Sequence, residues 1–130
     1  MPRDHAAPLK CALLGLTHPH SGALLASLEA LPDIGGVVLW ENAAGAARAA
    51  AIPRSRKVEA VAPDLRAVLG RDDLDFAIVC VRTDQAAGLA RKVVMAGKHL
   101  LAEKPVGLTS AEITEVMRAT ERAEVQAAVA

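Results

Sequence analysis

Lys10-Cys11-Ala12-Leu13-Leu14-Gly15-Leu16-Thr17-His18-Pro19-His20-Ser21-Gly22 passes from an apolar run into a turn rich in imidazole. Residues 10–16 lack a polar-apolar alternation, which suits a strand buried on both faces. Beyond the turn, Leu24, Leu25, Leu28 and Leu31 recur at helical spacing over residues 19–31, with Pro19 acceptable in a first turn and Pro32 past the end. A buried strand, a turn opening on Gly15 and a helix thus begin a strand-helix-strand unit.

The alternation runs on through the chain. Val37–Trp40 forms a second apolar run closed by Glu41 and Asn42, and an Ala-rich helix is expected over about 43–51. Ile52–Lys57 reads as a surface loop and Val58–Val61 as a short strand. Asp64 caps a helix to about Leu69, Gly70 stops it, and Leu74–Val81, rich in Val, Ile and Phe, is the expected central strand. Gln85–Ala96 reads as a helix stopped by Gly97, and His99–Ala102 as a short strand. Ser110–Glu124 reads as an amphipathic helix with Ile113, Val116 and Met117 on one face, and Val125–Ala130 as the start of another strand. The order predicts one doubly wound α/β domain over residues 1–130, a parallel sheet covered by helices on both faces with right-handed crossovers.

Composition narrows the partners. Fifteen Lys and Arg balance fifteen Asp and Glu, so no basic field draws in nucleic acid or an anionic membrane surface. Trp40 and Phe76 are the only aromatic residues apart from histidines, too few for stacking platforms on single strands. Cys11 and Cys80 sit inside apolar runs, where a thiol behaves as a small buried hydrophobe, and a reduced cytoplasm is the expected compartment. Residues 1–8 lack the apolar core of a signal peptide, and no window reaches the ~18 uncharged apolar residues of a membrane span. Small molecules remain as the expected partners.

In the glycine fingerprint of dinucleotide sites, the first glycine permits the tight turn, the second lets pyrophosphate approach the backbone, and the third permits close helix packing. Gly15 keeps the first place, while Thr17 and His20 occupy the others. Glu41 ends the second strand about 20 residues beyond the turn, where a ribose diol needs an acceptor. The plain alternative is that Gly15 serves only the turn and Glu41 is a solvated strand end. The imidazoles of His18 and His20 suit donation to phosphate, the lining of a substrate mouth, or a His-x-His metal pair. No third ligand is evident, and no metal site is assigned.

Two later stretches add a resemblance. Asp75-Phe76-Ala77-Ile78-Val79-Cys80-Val81 and Gly97-Lys98-His99-Leu100-Leu101-Ala102-Glu103-Lys104-Pro105, read with the Gly15 turn and Glu41, resemble the nucleotide-binding half of the glucose-fructose oxidoreductase / inositol dehydrogenase (Gfo/Idh/MocA) family over about residues 9–124. The resemblance implies a Rossmann fold and NAD, with NADP possible, as cofactor. It places Lys104 near nicotinamide and substrate as the catalytic candidate, Glu103 at the nicotinamide end, and Pro105 after a cis peptide that orients them. Physically, an ammonium donates to a developing alkoxide and an adjoining carboxylate holds it in place. Where the family commonly has a Pro-Asn pair and a downstream His, this chain has Arg82-Thr83-Asp84-Gln85, so Arg82 and Thr83 are the candidate contacts from that loop.

Members of that family carry a second α/β domain that supplies most substrate contacts and the oligomer interface, and residues 1–130 look like the front part of such an enzyme. The leading expectation is therefore the nucleotide-binding domain of an NAD(P)-dependent oxidoreductase acting on a CH–OH group of a sugar, cyclitol or related molecule. It would bind cofactor without turnover by itself, meet substrate only with the second domain, and self-associate through apolar surface left exposed. Glu41 should favour NAD, unless Arg48 or Arg54 reaches a 2′-phosphate. A stand-alone, non-catalytic nucleotide-binding or dimerising module is the alternative. An α/β regulatory domain without a dinucleotide is a third, and it requires the Gly15 turn and the Glu-Lys-Pro block to be coincidental.

Overall fold

A computed structural model describes residues 7–42, 55–62 and 64–130. The expected helix over 43–51 and the residues Arg48 and Arg54 lie outside these. In chain order the elements are β1 (Leu9–Leu14), α1 (Ser21–Ala30), β2 (Ile34–Trp40), β3 (Val58–Ala62), α2 (Leu65–Leu69), β4 (Phe76–Val79), α3 (Thr83–Met95), β5 (His99–Ala102), α4 (Ser110–Ala123) and β6 (Ala127–Val129). The six strands form one sheet in the order β3-β2-β1-β4-β5-β6, parallel throughout. This is the order of two mononucleotide-binding halves, and it reverses between β1 and β4, where a crevice opens at the carboxyl ends of the strands.

The unbroken apolar runs are explained by burial on two sides. Ala12 and Leu14 of β1 face one cluster with Ala77, Val79, Leu100 and the apolar sides of α2, α3 and α4. Cys11 and Leu13 face the other, with Ile78, Cys80 and Leu25 and Leu28 of α1. Burial pushes the Cys11 thiol up to about 12, helped by the charge of Asp75, so it stays protonated and inert. Neither cysteine is in a disulfide.

Three expectations shift. The second strand begins at Ile34 rather than Val37, because Gly35 and Gly36 lie where other groups press close: a Cβ at Gly35 would stand 2.6 Å from the Pro8 ring and one at Gly36 2.6 Å from a Glu59 carboxylate oxygen. The central strand is shorter, four residues from Phe76. On α4 the buried pair is Val116 and Ala119, while Ile113 and Met117 stay exposed.

The Gly-Lys-His block serves the fold itself. Gly97 takes φ +77°, which ends α3. Lys98 is buried and donates its ammonium to the Arg71 carbonyl, and His99 Nδ1 accepts the Gln126 N–H at 2.9 Å, fixing β6 beside β5. At the amino ends of the strands, Lys10 meets Glu59 at 2.7 Å and Asp73 at 3.4 Å, while Arg71 meets Asp73 at 2.7 Å and Glu59 at 3.1 Å.

Candidate cofactor site

The turn after β1 requires glycine at its first position. Gly15 takes φ +103°, and a Cβ there would stand 2.1 Å from the Cys80 carbonyl oxygen, where the turn passes the end of β4. Its N–H donates to the Trp40 carbonyl at 2.9 Å and ties the turn to β2. Ser21, buried at the start of α1, donates its hydroxyl to the Gly15 carbonyl at 2.9 Å and lies 3.5 Å from the Cys80 sulfur. Burial is the main cause raising the Cys80 thiol above its ordinary value. No side chain caps the N-terminus of α1, and no acidic residue occupies its first turn. The Ser21 N–H is given to the His18 carbonyl at 3.0 Å, and the first-turn N–H groups after it, with the helix dipole, favour an anion placed over the turn.

Glu41 is buried, 6% exposed, and not the solvated strand end that sequence left open. One carboxylate oxygen accepts the Leu16 N–H at 2.7 Å and the other the Asn42 N–H at 2.9 Å. The acidic end of β2 thereby holds the Gly15 turn from below while remaining an acceptor.

The two histidines divide. His18 Nδ1 accepts the His20 N–H at 3.0 Å, so a neutral His18 carries its proton on Nε2. His18 lines an open cleft of about 530 Å³ with Val81, Arg82, Thr83, Asp84 and Leu108. His20, at the third-glycine place, puts Nδ1 3.0 Å from a Glu103 oxygen. Close helix packing at that place is not needed, and Gly22 does not stand in for it, since a Cβ there would meet nothing within 4 Å. Among the described residues no group of three or more His, Cys, Asp or Glu is placed to hold a metal ion.

Glu103 and Lys104 follow β5 directly. The Glu103 N–H donates to the Val79 carbonyl at 2.8 Å, and the Lys104–Pro105 peptide is cis. Lys104 is exposed and makes no hydrogen bond or ion pair among the described residues, so its ammonium is available to a ligand. Thr17 is exposed beside the turn. Arg82 forms a two-pronged contact with Asp84, at 3.2 and 3.1 Å, at the mouth of the cleft. Thr83 begins α3 beneath it. The fold thus gathers Gly15, His18, His20, Glu41 and Glu103 into a connected set, and places Arg82 and Thr83 across the cleft from His18.

Sequence reasoning missed Ser21, which pins the turn, and Leu108, which walls the cleft. Ser21 carries a signal in hindsight, a lone hydroxyl beside the third-glycine place. Leu108 carries none, because its position depends on the Glu112 carboxylate accepting its N–H at 2.6 Å. The donor set suits a dinucleotide: a glycine-only turn, an uncapped helix N-terminus over it, and a buried carboxylate at the end of β2.

Comparison with known proteins agrees. A family model described as an oxidoreductase family with an NAD-binding Rossmann fold matches residues 9–130. No curated protein matches. Among solved structures, an oxidoreductase domain protein from Kribbella flavida is 28% identical, with a TM-score of 0.78 over 95% of this chain and 35% of its own. A 3-ketoreductase from Actinomadura kijaniata, solved with NADP and TDP-benzene, is 22% identical, with a TM-score of 0.79 over 94% of this chain and 37% of its own. A dehydrogenase from Chromobacterium violaceum, solved with NADH and UDP-GlcNAcA, is 19% identical, with a TM-score of 0.84 over 100% of this chain and 37% of its own. The chain therefore spans little more than a third of these structures. No helix among the described residues is long and apolar enough to cross a membrane.

Proposed function

The chain belongs to the Gfo/Idh/MocA oxidoreductase family, as its NAD(P)-binding Rossmann domain, and from that premise we propose that it serves hydride transfer between a nicotinamide and a CH–OH carbon of a sugar, cyclitol or related small molecule. The observation that carries this reading is the Gly15 turn, closed against Cys80 and held from below by buried Glu41. Of two similar solved structures, one was solved with the sugar nucleotide UDP-GlcNAcA and the other, a 3-ketoreductase, with TDP-benzene, and a substrate of the sugar class is in keeping with both.

In this reading the residues take the following roles. The α1 N-terminus, Thr17 and His18 face the phosphates, and Glu41 accepts from the ribose hydroxyls. Arg82 and Thr83 form the far wall of the cleft. Glu103 and Pro105 set the nicotinamide end, and the exposed Lys104 ammonium donates to the substrate oxygen as charge grows on it. The nicotinamide, when bound, supplies the hydride chemistry.

Because Glu41 would repel a 2′-phosphate, NAD(H) is the preferred cofactor over NADP(H). Calorimetric titration tests this. NAD should bind more tightly, and Glu41→Gln should lose much of the margin while keeping an acceptor for Leu16. Equal or tighter binding of NADP by the unmodified chain would sink the assignment.

Residues 1–130 are expected to bind cofactor without meaningful turnover, since hydride transfer needs a substrate held against the nicotinamide and the cleft beside His18 lies open along the exposed residues Arg82, Asp84 and Leu108. Self-association with a second copy belongs to the same reading. Among the described residues no strand pairs with the outer edge of β6, and Ile113, Met117 and Val129 border an apolar groove of about 340 Å³ beside it.

A further inference from the structure

We infer that His20 is a positioning residue for Glu103, tying the turn that receives the phosphates to the carboxylate at the nicotinamide end. This rests on the cofactor reading above and adds to it a direct link between two parts of the site 83 residues apart in sequence.

His20 replaces a glycine of the fingerprint, and its ring is placed from several sides. Its own N–H is held by His18 Nδ1 at 3.0 Å, the Ser21 N–H donates to the His18 carbonyl at 3.0 Å, and the two imidazoles meet edge-on with centroids 5.1 Å apart. The turn thus fixes the backbone that carries the ring, and the ring rests edge-on against that of His18. Its Nδ1 stands 3.0 Å from Glu103 Oε1, and because a carboxylate only accepts, His20 donates.

Glu103 needs such a partner. Its side chain is only 10% exposed, against 56% for His20, and Lys104 beside it does not pair with it. The contact occupies Oε1 alone. Oε2 has no partner among the described residues and is left as an acceptor for a donor such as a carboxamide. Without the imidazole, the carboxylate would be free to turn toward solvent, and the nicotinamide end would lose a fixed acceptor.

Binding of NADH compared with ADP-ribose, which has the same phosphates but no nicotinamide, separates positioning from direct phosphate contact. His20→Ala should weaken NADH about tenfold, the scale of one charge-assisted hydrogen bond, and ADP-ribose less than about twofold. His20→Gln, whose amide can donate to Glu103, should recover most of the loss. In a Glu103→Ala background, His20→Ala should have no further effect on the NADH to ADP-ribose ratio. Equal weakening of both ligands would make His20 a phosphate ligand and overturn the proposal, as would no change in either. Nitrogen NMR of the imidazole gives a readout without cofactor: the Nδ1–H tautomer should be populated in the unmodified chain and diminished by Glu103→Ala. If that signature is present but neither ligand binds, the cofactor reading fails while the contact stands; if the signature is absent, the positioning role itself is overturned.

Discussion

At the scale of single residues, Gly15 and Lys104 mark opposite ends of what the site demands. At Gly15 the demand is steric. A left-handed φ costs a residue with Cβ about 1–3 kcal/mol, and the 2.1 Å approach to the Cys80 carbonyl adds to it. Gly15→Ala should therefore lower the urea midpoint clearly and weaken cofactor binding as the turn shifts, both measurable on one sample. At Lys104 the demand is chemical. In an enzyme that holds substrate against the nicotinamide, Lys104→Ala should slow single-turnover hydride transfer by roughly a hundredfold or more, the scale of a positioned proton donor, while cofactor affinity changes little. An unchanged hydride step would return Lys104 to the role of an exposed turn residue. Gly15 was legible in sequence because only glycine meets such a backbone demand. The buried state of Glu41 was not legible, since it depends on the Leu16 N–H arriving from another strand end, 25 residues away.

Elements were legible where periodicity and punctuation agreed. The strand His99–Ala102 falls as expected, because Gly97 before it stops a helix and an apolar run follows. The start of α4 was equally plain. The helix begins at Ser110 as expected, and the structure adds its cap, which the sequence reading did not single out: Thr109 accepts the Glu112 N–H at 3.2 Å and Glu112 reaches back to the Thr109 N–H. Thr109→Ala should cost about 1 kcal/mol in denaturant unfolding, with NAD affinity nearly unchanged. Periodicity failed on the outer side of α4, where it treated Ile113 and Met117 as equivalent to Val116. A hydrophobic stripe is wider than the surface that any one neighbour covers, and only the packing of α3 against α4 decides that Ala119 goes inward. The start of β2 was missed for a related reason, because glycines carry no apolar signal even where close neighbours require them.

Across the whole molecule, the four charged groups at the amino ends of the strands make stability depend on acid. The Arg71 guanidinium holds Asp73 well below the usual carboxylate range, and the hydrogen bond from Lys10 lowers Glu59 below its ordinary value. Carboxyls depressed on folding contribute stability above their unfolded values, about 4, and lose it as the pH falls through the folded ones. Stability should decline below about pH 4, and Arg71→Ala should raise the acid midpoint followed by Trp40 fluorescence. Sedimentation at micromolar concentration should show a dimer or larger species, with Met117→Lys shifting it toward monomer; a strictly monomeric unmodified chain would count against self-association. The charged group and the cofactor turn sit at opposite ends of β1, roughly 16 Å apart at ~3.3 Å per residue. Perturbations at such separations usually add rather than couple. The gain in melting temperature produced by saturating NAD should then be nearly the same in Arg71→Ala as in the unmodified chain, so that robustness and affinity are two traits that substitution, or selection, can adjust separately.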